Sequence, residues 1–237
     1  MSENVTANMD LPLLMPAQAQ KHVTVNDALL RVDGLVDLVL QSVTRAIPPE
    51  TVVDGQCWGV PLGAVNAWEG QAGRIAIGAN GGWIFVSPGR GRRALVADRG
   101  LGAIHDGSGW VVGALSLGPH GSGMVAGQMW EDVVLVPGAV ATSAMAIPVG
   151  AMVIGATARV IEPITGTLSS WRLGHADAPD RYGSGLGKGA GSWVRGILGT
   201  PTTNWVPTQV QLSATGGQFA AGRVRVVLHW WELRLPD

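Results

Sequence analysis

The sequence predicts a mainly β protein. It has a short N-terminal α-helix, a β-hairpin-rich stem domain and a C-terminal β-sandwich of jelly-roll type, gathered into a trimer. Three observations predict this fold class. Helical apolar spacing is confined to residues 25–43. Gly-rich, Trp-punctuated stretches with Asn-Gly and Asp-Gly turn signals follow it. Residues 128–237 then carry short apolar runs parted by turn residues, the spacing of a sandwich.

Residues 1–16 have no period and contain Pro12 and Pro16, so they read as an irregular arm. Thr24 offers an N-cap hydroxyl and Asp27 a negative charge in the first turn, which predicts a helix over 25–43, stopped before Pro48-Pro49. Val25, Leu29, Val32, Val36, Val39 and Val43 recur at alternating steps of four and three, the spacing of a coiled-coil seam. Ala28, Leu35 and Leu38 widen that face. The seam covers under three heptads, so two partners stay open for it: the chain's own β domain, or copies about a threefold axis. In the second case Val25, Leu29, Val32, Val36 and Val39 register the chains.

Residues 1–47 are thus an arm and attachment helix, and 48–112 a β-rich stem. Within the stem Asp54-Gly55, Asn80-Gly81 and Asp106-Gly107 each precede a Trp (Trp58, Trp83, Trp110), a loose hairpin repeat with strands expected at 74–78, 83–87 and 94–97. Small residues make 113–127 a linker, and 128–237 the sandwich head. Its strands are expected at 131–136, 144–147, 152–161, 168–173, 209–213 and 223–233, with Gly216-Gly217 turning a hairpin into the last, a central strand.

Composition narrows the function classes. Charged residues are only 14%, against about 25% for a typical soluble domain, which implies a surface covered by other subunits. A net charge of −1 gives no electrostatic case for nucleic acid or an anionic membrane. Cys57 is alone, so no disulfide within the chain and no Cys-based metal cage is expected. No export signal or membrane-length apolar run is read.

Three stretches together resemble one family: Pro16-Ala-Gln-Ala-Gln-Lys-His22 with its continuation to Leu29, Gly82-Trp-Ile-Phe-Val-Ser-Pro88 with Val96-Ala-Asp98, and Pro179-Asp-Arg-Tyr-Gly-Ser-Gly-Leu-Gly187. It is an uncharacterised-domain family of alphaproteobacterial phages and gene transfer agents, described there as tail-fibre or host-recognition proteins. The resemblance implies a homotrimeric fibre or spike located in the virion. Its N-terminal part would dock on tail, baseplate or other virion proteins, and its C-terminal sandwich would meet a host surface polysaccharide or other receptor. The stretch 171–181 departs from the pattern by carrying Trp, His and two Asp residues.

The densest polar and aromatic cluster is the candidate ligand site: Trp171, His175, Asp177, Asp180, Arg181, Tyr182, Trp193, Asn204 and Trp205. Indole faces cover the apolar side of a sugar ring while Asp, Asn and Arg read its hydroxyls. The competing reading places Trp171 and Trp193 in the core and leaves the Asp residues as turn formers. A glycosidase needs two carboxylates across a cleft. Asp177, Asp180 and Glu162 are not presented as such a pair. No Gly-x-Ser-x-Gly elbow occurs, the five His are scattered, and Lys188 is followed by Gly189 rather than Ser or Thr, which rejects a P-loop. The expectation is a non-enzymatic binding protein without cofactor or metal. A purely structural baseplate adaptor or head decoration, and a capsule-degrading fibre, are the alternatives.

Overall fold

The computed structural model describes residues 5–15 and 21–236, so 16–20 of the family-like amino-terminal stretch lie outside the described residues. The chain is built as two compact units, Met1–Gly121 and Ser122–Asp237.

In the first unit, helix α1 spans Lys21–Leu35. This corrects the expected 25–43: Thr24 lies inside the helix rather than capping it, and Val36 and Val39 lie beyond it. The Val36 N–H makes the last helical bond, 2.9 Å to the Val32 carbonyl, and Asp37 then turns left-handed at φ 46°. From there the chain alternates, with Leu38 and Leu40 buried and Val39 exposed, and strand β1 is Val39–Leu40. Only the four-residue steps of the seam, such as Val39 to Val43, fit period two as well as a helix, and the left-handed turn at Asp37 breaks the helix between Val36 and Val39.

β1 is the hub of a seven-stranded sheet with β2 (Cys57–Gly59), β3 (Ile75–Ala79), β4 (Gly82–Val86), β5 (Arg93–Val96), β6 (Leu101–His105) and β7 (Trp110–Val112). The order is β4-β3-β2-β1-β5-β6-β7, and β1 runs parallel to both its neighbours. Asn80-Gly81 closes the β3–β4 hairpin with both residues at positive φ, 51° and 74°, as a two-residue loop between Ala79 and Gly82 requires. Asp106 Oδ1 accepts from the Ser108 and Gly109 amides in the β6–β7 loop, at 2.9 and 2.8 Å. Asp54-Gly55 is not a hairpin, because the strands either side of it are parallel.

The Trp repeat is not a structural repeat either. Trp58 and Trp83 both join Trp68, at centroid distances of 5.8 and 5.2 Å, over one cluster of the sheet. Trp110 instead meets His105 edge-on and packs with Leu38, Leu40 and Cys57. Gly34 brings α1 down onto Ile77 and Cys57, where a side chain would collide with both.

The arm is ordered by one carboxylate. Asp33, 2% exposed on α1, accepts from Thr6 Oγ1 at 2.6 Å and from the Asn8 and Met9 amides at 3.0 and 2.7 Å. Asn8 Nδ2 in turn donates to the Asp33 and Gly55 carbonyls, and Val5 bridges Pro12.

The second unit has eight strands: β8 (Gly123–Leu135), β9 (Val140–Ile147), β10 (Met152–Gly166), β11 (Ser170–His175), β12 (Ala178–Leu186), β13 (Trp193–Thr203), β14 (Thr208–Thr215) and β15 (Phe219–Arg234). They form two antiparallel sheets, β13-β10-β15-β8 and β12-β11-β14-β9. Every connection except β11–β12 crosses between sheets, which is the jelly-roll arrangement. The final strand is central, as its apolar run requires. Gly216-Gly217 does not turn a hairpin, since it carries the chain from one sheet to the other. Residues 123–127, read from composition as linker, are the start of β8.

The core lies between the sheets. It is built from Val153, Ala156, Val160, Val224, Val226 and Leu228 on one side and Trp171, Leu173, Val210 and Leu212 on the other.

Replacing Asp33 by Ala removes three acceptor contacts to a charged group, and should cost the first unit about 3 kcal/mol in urea denaturation. It should also open residues 5–15 to limited proteolysis, whereas unchanged stability would show that the arm is held elsewhere.

Candidate functional site

The structure splits the expected ligand cluster. Trp171 is 1% exposed, with its indole N–H donating to the Gly187 carbonyl at 2.9 Å, and Tyr182 is buried as well. Both side chains serve the sandwich core and present no face to a ligand, which corrects their assignment. β12 places Asp180 and Arg181 at the surface, while His175 and Asp177 lie at the β11–β12 turn. Burial lowers the His175 pKa, as does the Arg181 charge, against the opposing pull of Asp177. Burial raises that of Tyr182.

Trp205, 77% exposed, and the half-buried Asn204 sit in the β13–β14 loop. This loop lies two residues from Val210, the partner of His175, so it shares one end of the sandwich with the His175 turn. Trp193 begins β13 and is separated from that end by an 11-residue strand, about 30 Å long.

The assigned oligomerisation residues are not folded away. Val25, Val32, Val36 and Val39 are 39–47% exposed, and Leu29 is half-buried. They do not form one helical seam, because Val36 is in the turn and Val39 in β1. Val39 is the cross-strand neighbour of the exposed Leu95. Together these two line a depression of about 990 Å³ with Arg92 and Arg93.

A surface absent from the loop-centred reading emerges on the outer face of the β13-β10-β15-β8 sheet. Cross-strand registers align Trp193, Arg159, Arg225 and Asp132 in one row. The next row is Arg195, Thr157, Val227 and Trp130, and the third begins with Ile197. Trp193, Ile197 and Trp130 are 65%, 69% and 61% exposed. Arg225 is held by Asp132, 2.7 Å away, and lies 5.4 Å over the Trp130 ring. That hydrogen-bonded guanidinium holds the Asp132 carboxyl below its usual pKa. The signal was in the sequence as period two: Trp193-x-Arg195-x-Ile197 and Arg223-x-Arg225-x-Val227 each place alternate residues outward.

Cys57 is buried, with its thiol donating to the Gly34 carbonyl at 3.2 Å, and burial with the nearby Asp33 charge pushes its pKa up to about 12. It is a packing residue rather than a nucleophile.

A jelly-roll sandwich with exposed aromatic and cationic side chains, preceded by a helix-led mixed sheet, is the class of protein these features define. Residues 25–111, all within the first unit, match a family described as "Protein of unknown function (DUF2793)". Among curated proteins nothing matches the chain. Among solved structures it is similar to a chain of the Cyanophage Pam1 capsid asymmetric unit, at 24% identity over 46% of this chain and 84% of that one, with a TM-score of 0.31.

Trp171→Ala should cost the sandwich about 3–5 kcal/mol, and Trp205→Ala less than about 0.5 kcal/mol, measured by denaturant unfolding. Equal effects would contradict the separation of core from surface. Iodoacetamide at pH 8 should leave Cys57 of the folded protein unmodified and label it fully in guanidinium, with mass spectrometry as the readout.

Proposed function

We propose that this chain is a non-catalytic, self-associating component of a phage or phage-like particle. In this reading it is a trimeric fibre or spike that docks through its first unit and meets a host-surface saccharide through its sandwich. The observation that carries the reading is the set of exposed valines, Val25 and Val32 on α1, Val36 in the turn after it and Val39 in β1, on a chain with only 14% charged residues. Apolar surface of this kind marks an association site on a protein that works in water. The virion placement is supported by the stretches resembling phage and gene-transfer-agent proteins, of which Gly82–Val86 forms β4 and Ala178–Leu186 forms β12. Saccharide contact is supported by the exposed indoles of Trp193 and Trp205. Weak binding by each head suffices, because linked copies raise the effective concentration.

Light scattering coupled to size exclusion tests the association. The expected mass is three times the 24.6 kDa chain. Val25→Asp combined with Val32→Asp changes only exposed positions and should yield a folded monomer. A wild-type monomer at micromolar concentration would overturn the reading.

A further inference from the structure

The outer face of the β13-β10-β15-β8 sheet carries an unbalanced charge. In the row Trp193–Arg159–Arg225–Asp132, two guanidiniums face each other across β10 and β15, and the single carboxylate is bound to Arg225. Like charges directly opposite destabilise a sheet. Arg195 adds a third guanidinium on the neighbouring row. Arg159 and Arg195 have no ion-pair partner among the described residues, whereas Arg225 and Arg223 pair with Asp132 and Glu162. These cations and the Trp193 ring line one groove of about 470 Å³. An anion there would relieve the Arg159–Arg225 repulsion.

The architecture of the face selects among anions. β10 and β15 are interior strands whose backbone groups are engaged on both sides, so the face offers side-chain tips only. A peptide adding as a strand would use the free edge of β13 and extend the sheet beside this face, leaving Arg159 and Arg225 on the interior strands uncovered. A second copy laid on the same face would bring the same unpaired cations. An indole beside guanidinium forks instead fits a pyranose ring carrying a carboxylate, with stacking on the C–H face and bidentate bonds to the acid.

We infer that this face is a binding site for an acidic saccharide, with Arg159 and Arg195 taking the carboxylates and Trp193 the sugar ring. The inference rests on the saccharide-receptor reading above and adds the ligand class and the place.

The full-length protein on an array of uronate-, sialate- and ketodeoxyoctonate-bearing glycans alongside neutral ones tests it, with oligoglutamate and a single-stranded oligonucleotide as anionic competitors. Binding confined to acidic glycans, weakened roughly tenfold or more by Arg159→Gln, Arg195→Gln or Trp193→Ala and not by Arg74→Gln in the first unit, is the expected result. All four positions are exposed, and unchanged thermal unfolding confirms that each variant is folded. Equal binding of neutral glycans, indifferent to the Arg variants, overturns the inference and leaves the saccharide-receptor reading standing. Competition by oligoglutamate or the oligonucleotide as strong as by acidic glycan assigns the face to another class of partner and also overturns it. Retention of no glycan overturns both the inference and the saccharide part of the reading, and the solution mass then decides separately whether the self-association part survives.

Discussion

The sandwich depends on the two-residue alternation of its last strand. β15 runs between β10 and β8, and its Val224, Val226, Leu228 and Trp230 all point into the core. The pleat then leaves Arg223, Arg225, Val227, His229 and Trp231 no choice but the opposite face. A one-residue slip would bury two arginines and expose the Val and Leu set. The core therefore specifies the surface. Burial also lowers the His229 pKa on that outer side.

The first unit is organised around a shorter element. β1 has two residues, yet it is the parallel hinge on which both halves of the seven-stranded sheet hang. Its Leu40 is fully buried against Cys57 and the Ile75/Ile77 pair, while Val39 on the other side remains open to solvent. Such a strand cannot hold itself. α1 immediately before it and the carboxylate of Asp33 within that helix supply the support, which is why a buried acid is tolerated there.

How much was legible varied with the locality of the signal. The β class, the jelly-roll type and the central place of the last strand followed from alternating apolar runs and turn residues. Asn80-Gly81 was readable because two consecutive positive φ angles demand such residues whatever surrounds them. The helix end was not, because Val39 and Val43, four apart, fit a heptad and a strand alike, and only the turn at Asp37 and the burial of Leu38 and Leu40 decide. Turn residues alone also misled at Asp54-Gly55 and Gly216-Gly217, since a turn does not say which sheet the chain enters next. At the candidate site, clustering along the sequence became clustering in space only in part: the His175 turn shares one end of the sandwich with Asn204 and Trp205, whereas Trp193 begins β13 away from it. Trp171 and Tyr182 alternate inward on their strands, and the groove that forms instead draws Arg159, Trp193 and Arg225 from three separate strands.

The capture of the amino-terminal arm by Asp33 has a mechanical side. Thr6, Asn8 and Met9 all end on one carboxylate in the last turn of a helix. Tension applied ahead of residue 5 is therefore taken up together by several converging bonds and passed into α1, which rests on Ile77 through Gly34. A tether at that end pulls against a clamp rather than peeling strands one bond at a time.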